Sequence, residues 1–295
     1  MGKSIYQWWK ICMATMILLA VVVLMPRTVR AAGLSDFSNI WKTNVMSTIS
    51  TYGKVPNTYL EKTGSGWQAV LADGNTIHII DFNEDWEQIS ERQTEYELSE
   101  FGGYFSGEKY NFLVFGQQGS SDGTEIYRII KYDKDFNRLD ALSIPYEDCY
   151  TNIPFAYGGS SIAENGNELT IYTSKLRPDG HQSNMLIQID TESMTAIDEE
   201  NLKDSFQDVH VSHSFREYVK YDGDKPVFAD LGDAYPRCVC LQPVPGREIE
   251  MLSIEGEIGD NVTNTELSGL EVTDSGYIVV GTQKKMIQII SIYLM

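Results

Sequence analysis

From Trp67 onward, short runs of apolar residues alternate with polar turns. The runs are rich in Val, Ile, Tyr and Phe, the residues that favour β-strands. Glycine adopts positive φ at low cost, and Asn or Asp tolerates it, so Asp-Gly and Asn-Gly pairs predict tight turns between antiparallel strands. No stretch of this region has the pattern of a long helix, and the sequence therefore predicts an all-β fold. The turn pairs are Asp73-Gly74, Asp122-Gly123, Asn165-Gly166, Asp179-Gly180 and Asp222-Gly223.

The predicted strands recur along the chain. IIDFNEDWEQI (79–89) is similar to IIKYDKDFNRL (129–139), and SNMLIQIDTESM (183–194) repeats the form more loosely. A second series starts at intervals of 56, 54 and 56 residues, each member followed by a hairpin turn and an apolar strand; its members are FGGYF (101–105), YGGSS (157–161), VSHSF (211–215) and LSGLE (267–271). Four short antiparallel strands in a period of about 50–57 residues are typical of β-propeller blades.

The second series is assigned to the innermost strands, because glycine and serine fit where blades converge on the axis. Counting from it gives four to five blades in residues 57–283. Only part of a blade is expected ahead of residue 101. Residues 284–295 form an apolar tail with no closing turn. The hypothesis is an incomplete ring, from a chain truncated or frame-shifted near Gln283.

The N-terminal residues have the layout of a secretory signal peptide. Lys3 and Lys10 flank a short n-region, an apolar run of fifteen residues occupies 11–25, and Val29 and Ala31 stand at positions −3 and −1 of a cleavage site. The sequence predicts cleavage after Ala31 and a secreted or cell-surface protein. The alternative is a membrane anchor formed by residues 11–25, although a bilayer span needs about 20 residues.

Residues 32–56 are predicted to be a helical or linker segment. The apolar residues of 34–50 have helical spacing: Leu34, Phe37, Ile40, Trp41, Val45 and Ile49. We expect a short amphipathic helix packed on the main domain. The alternative is contact with a membrane surface, for which a single lysine is a weak basis.

The net negative charge of the chain disfavours some classes of binding partner. Removal of residues 1–31 takes away four basic residues and no acidic ones, which changes the formal net charge from −19 to −23. Such an acidic surface repels phosphate backbones and argues against nucleic-acid binding, while it attracts cations or basic partners. The remaining cysteines are Cys149, Cys238 and Cys240. Three cysteines cannot all pair, so the chain is not a disulfide scaffold, and bonding of Cys149 to either of the others is left open.

One blade carries a histidine where its siblings have glycine. His213 stands at the position of Gly103, Gly159 and Gly269 in the second series. A hairpin centred on Asp222-Gly223 would place His213 across from Gly232 and beside Asp233, with Arg237 on the same loop. The pattern thus predicts a His, an Asp and an Arg at one end of one blade, near the axis.

These residues suggest a ligand site. Asp233 would fix the tautomer of His213 and raise its pKa, as suits a general base or a nucleophile. Arg216 and Arg237 could bind a carboxylate, a sulfate or a uronate. The predicted ligand-binding set is His213, Arg216, Asp233, Tyr235 and Arg237. The alternative is structural: Asp233 accepts backbone hydrogen bonds, Arg237 caps carbonyls and His213 fills a gap.

No metal or other cofactor is predicted. Cys238 and Cys240 lie near the histidines of HVSH (210–213), but C-x-C is not a zinc spacing. The turn YDKDFNRLD (132–140) has oxygen-bearing side chains at alternate positions, as in a calcium loop. It lacks the glycine and the terminal glutamate of an EF-hand, so a solvated turn is preferred and calcium is the alternative.

The segments SHSF (212–215) and GDAYPR (232–237) carry a resemblance to uncharacterised secreted β-propeller proteins of Gram-positive bacteria. It spans residues 57–283 and implies a fold and an exported location, without an activity. The chain is more weakly similar to arylsulfotransferase-type propellers, through its repeat type and candidate histidine alone. That similarity implies a histidine nucleophile near the axis.

The sequence leaves three possibilities for the function of the chain. The first is an extracellular binding or interaction module for a glycan, peptide or protein. The second is a propeller enzyme, sulfotransferase-, lyase- or hydrolase-like, that uses His213 with Asp233 and Arg237. The third is a truncated chain without independent function.

Overall fold

The computed structural model describes residues 53–198, 202, 214–234, 236–244, 247–284 and 286–292, and for Ser214 and residues 286–292 it describes the backbone. The predicted signal peptide (1–31) and most of the predicted helical segment (32–56) lie outside the described residues. So do His210, His213 and Tyr235. In the part of the chain described, no helix is long and apolar enough to cross a membrane.

The described residues form five antiparallel sheets that follow one another along the chain, here called blades 1 to 5. Blade 1 comprises β1 (Thr58–Thr63), β2 (Gly66–Asp73), β3 (Thr76–Phe82) and β4 (Gln88–Glu95). Blade 2 comprises β5 (Glu100–Ser106), β6 (Asn111–Gly116), β7 (Glu125–Tyr132) and β8 (Arg138–Pro145). A short helix, α1 (Tyr146–Cys149), follows it.

Blade 3 comprises β9 (Ile153–Pro154), β10 (Ser160–Asn165), β11 (Glu168–Leu176), β12 (Gln182–Asp190) and β13 (Thr195–Ala196). Blade 4 comprises β14 (Ser214–Asp222), β15 (Lys225–Gly232), β16 (Cys238–Val244) and β17 (Arg247–Ser253). Blade 5 comprises β18 (Glu266–Thr273), β19 (Gly276–Gln283) and β20 (Met286–Ile292). Each strand pairs with the next in sequence, except that β9 pairs with β11.

Apolar cores lie between consecutive blades. Val70 and Ile77 of blade 1 pack with Leu113 of blade 2, and similar clusters join blades 2 and 3, 3 and 4, and 4 and 5. The first strands of blades 1 to 4 border one common cavity. Successive four-stranded sheets that stack around an axis form a β-propeller. The predicted all-β propeller fold is confirmed.

The inner-strand assignments hold in part. β5 and β18 contain the predicted ranges 101–105 and 267–271. β10 begins at Ser160, so Gly158 and Gly159 precede it. These glycines allow a close approach between elements: a Cβ on Gly158 would lie 2.2 Å from Ser174 Oγ. The same Cβ would lie 2.5 Å from Glu217 Oε1 of blade 4, so the small residue here also allows the close packing of blades 3 and 4.

The prediction of a partial blade before residue 101 is wrong. Residues 58–95 make a complete four-stranded sheet. Its first strand reads TYLEKT and has no fully buried residue, so it lacks the apolar run found in β2 and β3. In the apolar tail, Met286–Ile292 forms β20 and pairs with β19 along its length. The incompleteness of the ring and the truncation near Gln283 stay predictions.

The recurring acidic turn has a local physical cause. Asn83 Oδ1 accepts hydrogen bonds from the backbone N–H groups of Asp85 and Glu87, at 3.0 and 2.9 Å. Asp133 Oδ1 makes the equivalent bonds in blade 2, to residues 135 and 137 at 2.9 and 2.8 Å. The residue three positions on, Trp86 or Phe136, has a positive φ of 63° or 61°. An Asn or Asp side chain therefore fixes the same turn in both blades.

Candidate functional site

A cavity of about 280 Å³ lies where the first strands of four blades converge. It is called the axial cavity here. Its walls come from Pro56 and Tyr59 of blade 1, Tyr104 and Phe105 of blade 2, residues 159–162 of blade 3, and residues 216–218 of blade 4. The lining combines aromatic rings with a few charged and hydroxyl groups, which is the usual composition of a small-molecule site.

A bulge in β14 brings two charged residues to this cavity. Asp222 pairs with Lys225 and Glu217 with Asp230, but the register shifts between Glu217 and Ser214, and Ser214 pairs with Gly232. A bulge changes the direction of the side chains next to it. Arg216 lies inside the bulge, and both Arg216 and Glu217 line the cavity.

The predicted register of this hairpin is wrong. The residue across from Gly232 is Ser214, not His213. The two central turn residues are Gly223 and Asp224, with φ of 62° at Gly223. The predicted turn is centred one residue too early, which alone would place residue 215 across from Gly232, and the bulge then moves the partner back by one, to Ser214.

Glu217 is the acidic group of the cavity wall. Glu217 is almost fully buried, with 3% of its surface exposed. Oε2 accepts a hydrogen bond from Gly159 N at 2.5 Å, whereas Oε1 is buried and has no hydrogen-bond partner among the described residues. Burial raises the pKa of Glu217 well above its ordinary value. The nearby Asp230 raises it further, and the Gly159 hydrogen bond and the charge of Arg216 oppose the shift.

Behind Glu217, a polar layer separates blades 3 and 4; it consists of Tyr172, Asn184, Glu217 and Asp230. Asp230 is the cross-strand partner of Glu217 and is 1% exposed. Tyr172 donates its hydroxyl hydrogen to Asp230 Oδ2 at 3.1 Å and accepts a hydrogen bond from Asn184 Nδ2. Burial raises the pKa of the Tyr172 hydroxyl well above its usual value. Two carboxyl groups thus face one another out of water.

The other polar groups of the cavity come from β10. Ser160 Oγ is buried and has no hydrogen-bond partner in the part of the chain described. Ser161 Oγ accepts a hydrogen bond from Val219 N at 3.1 Å and so joins blades 3 and 4. In the part of the lining that comes from β1 and β5, the rings of Tyr59 and Tyr104 meet edge to face at 5.6 Å. Burial raises the pKa of Tyr59 above its usual range.

Of the predicted ligand-binding residues, Arg216 is at the axial cavity. It is half-buried, and Nη1 donates to the backbone oxygen of Lys54 at 3.1 Å. His213 and Tyr235 lie outside the described residues. Asp233 and Arg237 do not line the axial cavity.

Asp233 and Arg237 form a clamp with each other. Arg237 Nε and Nη2 lie 2.9 and 2.8 Å from Asp233 Oδ1. The guanidinium also donates to the backbone oxygens of residues 254, 256 and 260, and Gly259 N donates to Asp233 Oδ2 at 2.6 Å. The clamp therefore fixes the loop between β17 and β18. This geometry matches the structural alternative for the pair, while a ligand role for them stays a prediction.

The sequence argument did not single out Glu217, although a signal was present. Phe215, Glu217 and Val219 are buried while Arg216 and Tyr218 are half-buried, so alternate positions of β14 face the interior. A glutamate in phase with Phe and Val breaks the apolar pattern of a buried face. That misfit is what marks a buried acid, since a lone glutamate is seldom buried.

The three described cysteines and the acidic turn 132–140 do not form a cluster of metal ligands. Cys149, Cys238 and Cys240 are free and buried, and the hydrogen bond to Cys238, together with burial, raises the pKa of the Cys240 thiol above its usual range. Asp133 in the 132–140 turn also accepts a hydrogen bond from Asn137 Nδ2. This hydrogen bond is the main reason that the pKa of Asp133 is lowered. No group of three His, Cys, Asp or Glu side chains suited to a metal ion occurs among the described residues.

A larger open groove of about 520 Å³ lies between blades 1 and 2, and residues 75–76, 95–99 and Gln117 line it. Its acid Glu97 is already bound to Arg128 and Arg138, at 3.1 and 2.8 Å. The axial cavity is the stronger candidate, because buried polar atoms without partners border it.

No family model matches the chain, and no curated protein matches it significantly. Among solved structures, it is similar to an ACO/RPE65 chimera, with 8% identity and a TM-score of 0.46 over 77% of this chain and 56% of the chimera. It is also similar to BBS1N, solved in complex with ARL6DN, with 11% identity and a TM-score of 0.44 over 84% and 68% of the two chains.

A thermostable family-43 glycoside hydrolase is similar at 9% identity and a TM-score of 0.38, over 80% of this chain and 86% of that one. Of the ACO/RPE65 chimera, in contrast, this chain spans little more than half the length. At these TM-scores the similarities carry no argument about activity, and the site must be judged from its own chemistry.

Proposed function

We propose that the protein is an exported ligand-binding β-propeller, a module that takes a small polar ligand, such as one unit of a glycan or peptide, in its axial cavity. The observation that carries this proposal is that two residues lining one cavity, Glu217 and Ser160, each carry a buried polar atom, Oε1 and Oγ, without a hydrogen-bond partner among the described residues. Buried polar groups are normally satisfied, so a ligand that bonds to both would offset their desolvation.

The size and lining of the cavity also support binding. Its volume of about 280 Å³ is just below the roughly 300–1,000 Å³ of pockets for drug-sized ligands, which favours a compact ligand. Tyr59, Tyr104 and Phe105 supply apolar surface, and the serines and charged residues supply orientation. Export rests on the predicted signal peptide (1–31), and anchoring by residues 11–25 is its alternative.

The enzyme alternative, with His213, Asp233 and Arg237, stays a prediction. In the structure, Arg237 is engaged with Asp233 and with three backbone oxygens. Catalysis of that kind would require a substrate to reach a guanidinium that already holds a loop in place. The alternative of a truncated chain without its own function also stays a prediction.

Thermal unfolding of the full-length chain with a panel of monosaccharides and short peptides tests the proposed function. We expect one ligand class to raise the melting temperature, because a ligand that binds the folded state stabilises it. Ser160→Leu, which fills the cavity, should abolish that shift. Ser65→Leu, at an exposed turn position, is the matched control and should retain it. An equal shift in both variants would place the ligand elsewhere and contradict the proposal.

A further inference from the structure

We propose that the axial cavity binds a zwitterion of the α-amino acid type, with the carboxylate of the ligand at Arg216, its ammonium group at Glu217 and its side chain against the aromatic wall. This inference rests on the proposed function and names the ligand class of the same site. It is carried by the two charged residues of the lining, by the unpartnered atoms of Glu217 and Ser160, and by the aromatic residues that line the same cavity.

Two residues of opposite charge, Arg216 and Glu217, lie at the β14 bulge. Arg216 and Glu217 are adjacent in sequence, and the register shift between Ser214 and Glu217 lets both border the cavity. A guanidinium binds a carboxylate by paired hydrogen bonds. A carboxylate binds an ammonium group most strongly where water is excluded. A ligand with both groups on one carbon matches such a pair better than a ligand with either charge alone.

The buried carboxyl group of Glu217 favours a ligand with a positive charge. Glu217 and Asp230 are cross-strand partners, both nearly fully buried, and Glu217 Oε1 has no partner in the described part of the chain. The titratable and charged groups around Glu217 are Asp230 on β15, Arg216 and Tyr218 on β14, and Tyr172 on β11. An ammonium group at Glu217 Oε1 would give that oxygen a hydrogen-bond donor and a positive charge.

The remaining wall suits an apolar or aromatic side chain. Tyr59, Tyr104 and Phe105 line the cavity from β1 and β5, whereas the charged pair lines it from β14. Aromatic faces also attract cations, which would favour the ammonium group within the cavity. Ser160 Oγ, the second unpartnered atom, can donate a hydrogen bond to a carboxylate oxygen. The acidity of the whole chain, with a net charge of −19, opposes binding of a simple anion.

Binding should be coupled to proton release. Glu217 must ionise to pair with an ammonium group, and because burial raises its pKa, its proton passes to solvent when the ligand binds. The ligand keeps its own charge and no covalent bond changes. Below the pKa of Glu217, affinity should therefore rise by up to about tenfold for each pH unit.

Calorimetric titration of the full-length chain with four related probes tests the inference. L-Phenylalanine carries both charges, phenethylamine only the ammonium, 3-phenylpropionate only the carboxylate, and 2-phenylethanol neither. We expect L-phenylalanine to bind at least tenfold more tightly than each of the others, and more tightly at pH 8 than at pH 6. Glu217→Gln and Arg216→Lys, which preserve size or charge, should each reduce that advantage tenfold or more, whereas Glu271→Gln at an exposed position should not.

Equal binding of L-phenylalanine and of either singly charged probe would overturn the inference. So would unchanged binding in Glu217→Gln, or the binding of neutral sugars alone; in that last case the proposed function would stand. If neither these probes nor the sugars and peptides bind, both proposals fail together. The melting temperature of each variant without ligand separates lost binding from lost folding.

Discussion

Replacement of Glu217 by glutamine measures how much the ionisation of a buried carboxyl group lowers the free energy of unfolding. Glutamine has the same shape, and its side-chain oxygen can still accept the hydrogen bond from Gly159 N. It cannot ionise, so it resembles the protonated glutamic acid permanently. The substitution therefore removes a titration from the folded protein and leaves the packing of blades 3 and 4 nearly unchanged.

The sign of the effect follows from proton linkage. The folded-state pKa of Glu217 is raised well above the ordinary value of 4.5. Between these two pKa values the unfolded chain binds fewer protons than the folded one, so the free energy of unfolding falls as pH rises. The slope approaches about 1.4 kcal/mol per pH unit for one group. Below pH 4.5 both states are protonated and the cost disappears.

Urea unfolding of the full-length chain at pH 5, 6, 7 and 8 measures this cost. We expect Glu217→Gln to become more stable relative to wild type as pH rises above 4.5, with a slope of up to about 1.4 kcal/mol per pH unit below the folded-state pKa of Glu217. The titrations of groups that do not interact with Glu217 cancel in the difference between the two proteins, whereas the neighbouring Asp230 is relieved of the Glu217 charge in the variant. Glu271→Gln is the control, because the Glu271 side chain is 64% exposed, and its difference from wild type should stay flat. A constant difference for Glu217→Gln across this range would refute the reasoning.

Three further perturbations have defined outcomes. Arg237→Met leaves Asp233 buried without its cation and should cost about 3–5 kcal/mol in urea unfolding; a loss below 1 kcal/mol would contradict the clamp. Gly158→Ala places a Cβ 2.2 Å from Ser174 Oγ, whereas Gly269→Ala meets nothing within 4 Å, so the first should lose about 1–3 kcal/mol and the second almost nothing. The buried Cys149 of α1 and the buried Cys238 and Cys240 of β16 should react with a thiol reagent only after unfolding. Fast reaction of these three in the native protein would contradict their burial.

The fold was largely readable from the sequence because its signals are local. The turns at Asn83 and Asp133 are fixed by their own side chains and by the N–H groups two and four residues on. Blade 1 was only partly recognised, since β1 (TYLEKT) is held by pairing with β2 and not by an apolar run of its own.

The candidate site was less predictable. Arg216 was predicted and lines the cavity, and Asp233 was expected near Arg237 and binds it. Glu217 was missed, because its burial depends on Gly159 and the strands of blade 3, which are nearly sixty residues away in sequence.

The sequence by itself determined the all-β repeat, the spacing of the blades and the acidic character of the surface, since strand alternation, turn chemistry and net charge depend on near neighbours or on composition. The tertiary structure alone decided which polar residues are buried together. The bulge in β14, the contact of blade 3 with blade 4 and the loop held by Asp233 and Arg237 join segments distant in sequence. Burial and the electrostatics of a carboxyl group are properties of that assembled environment, and no local pattern contains them.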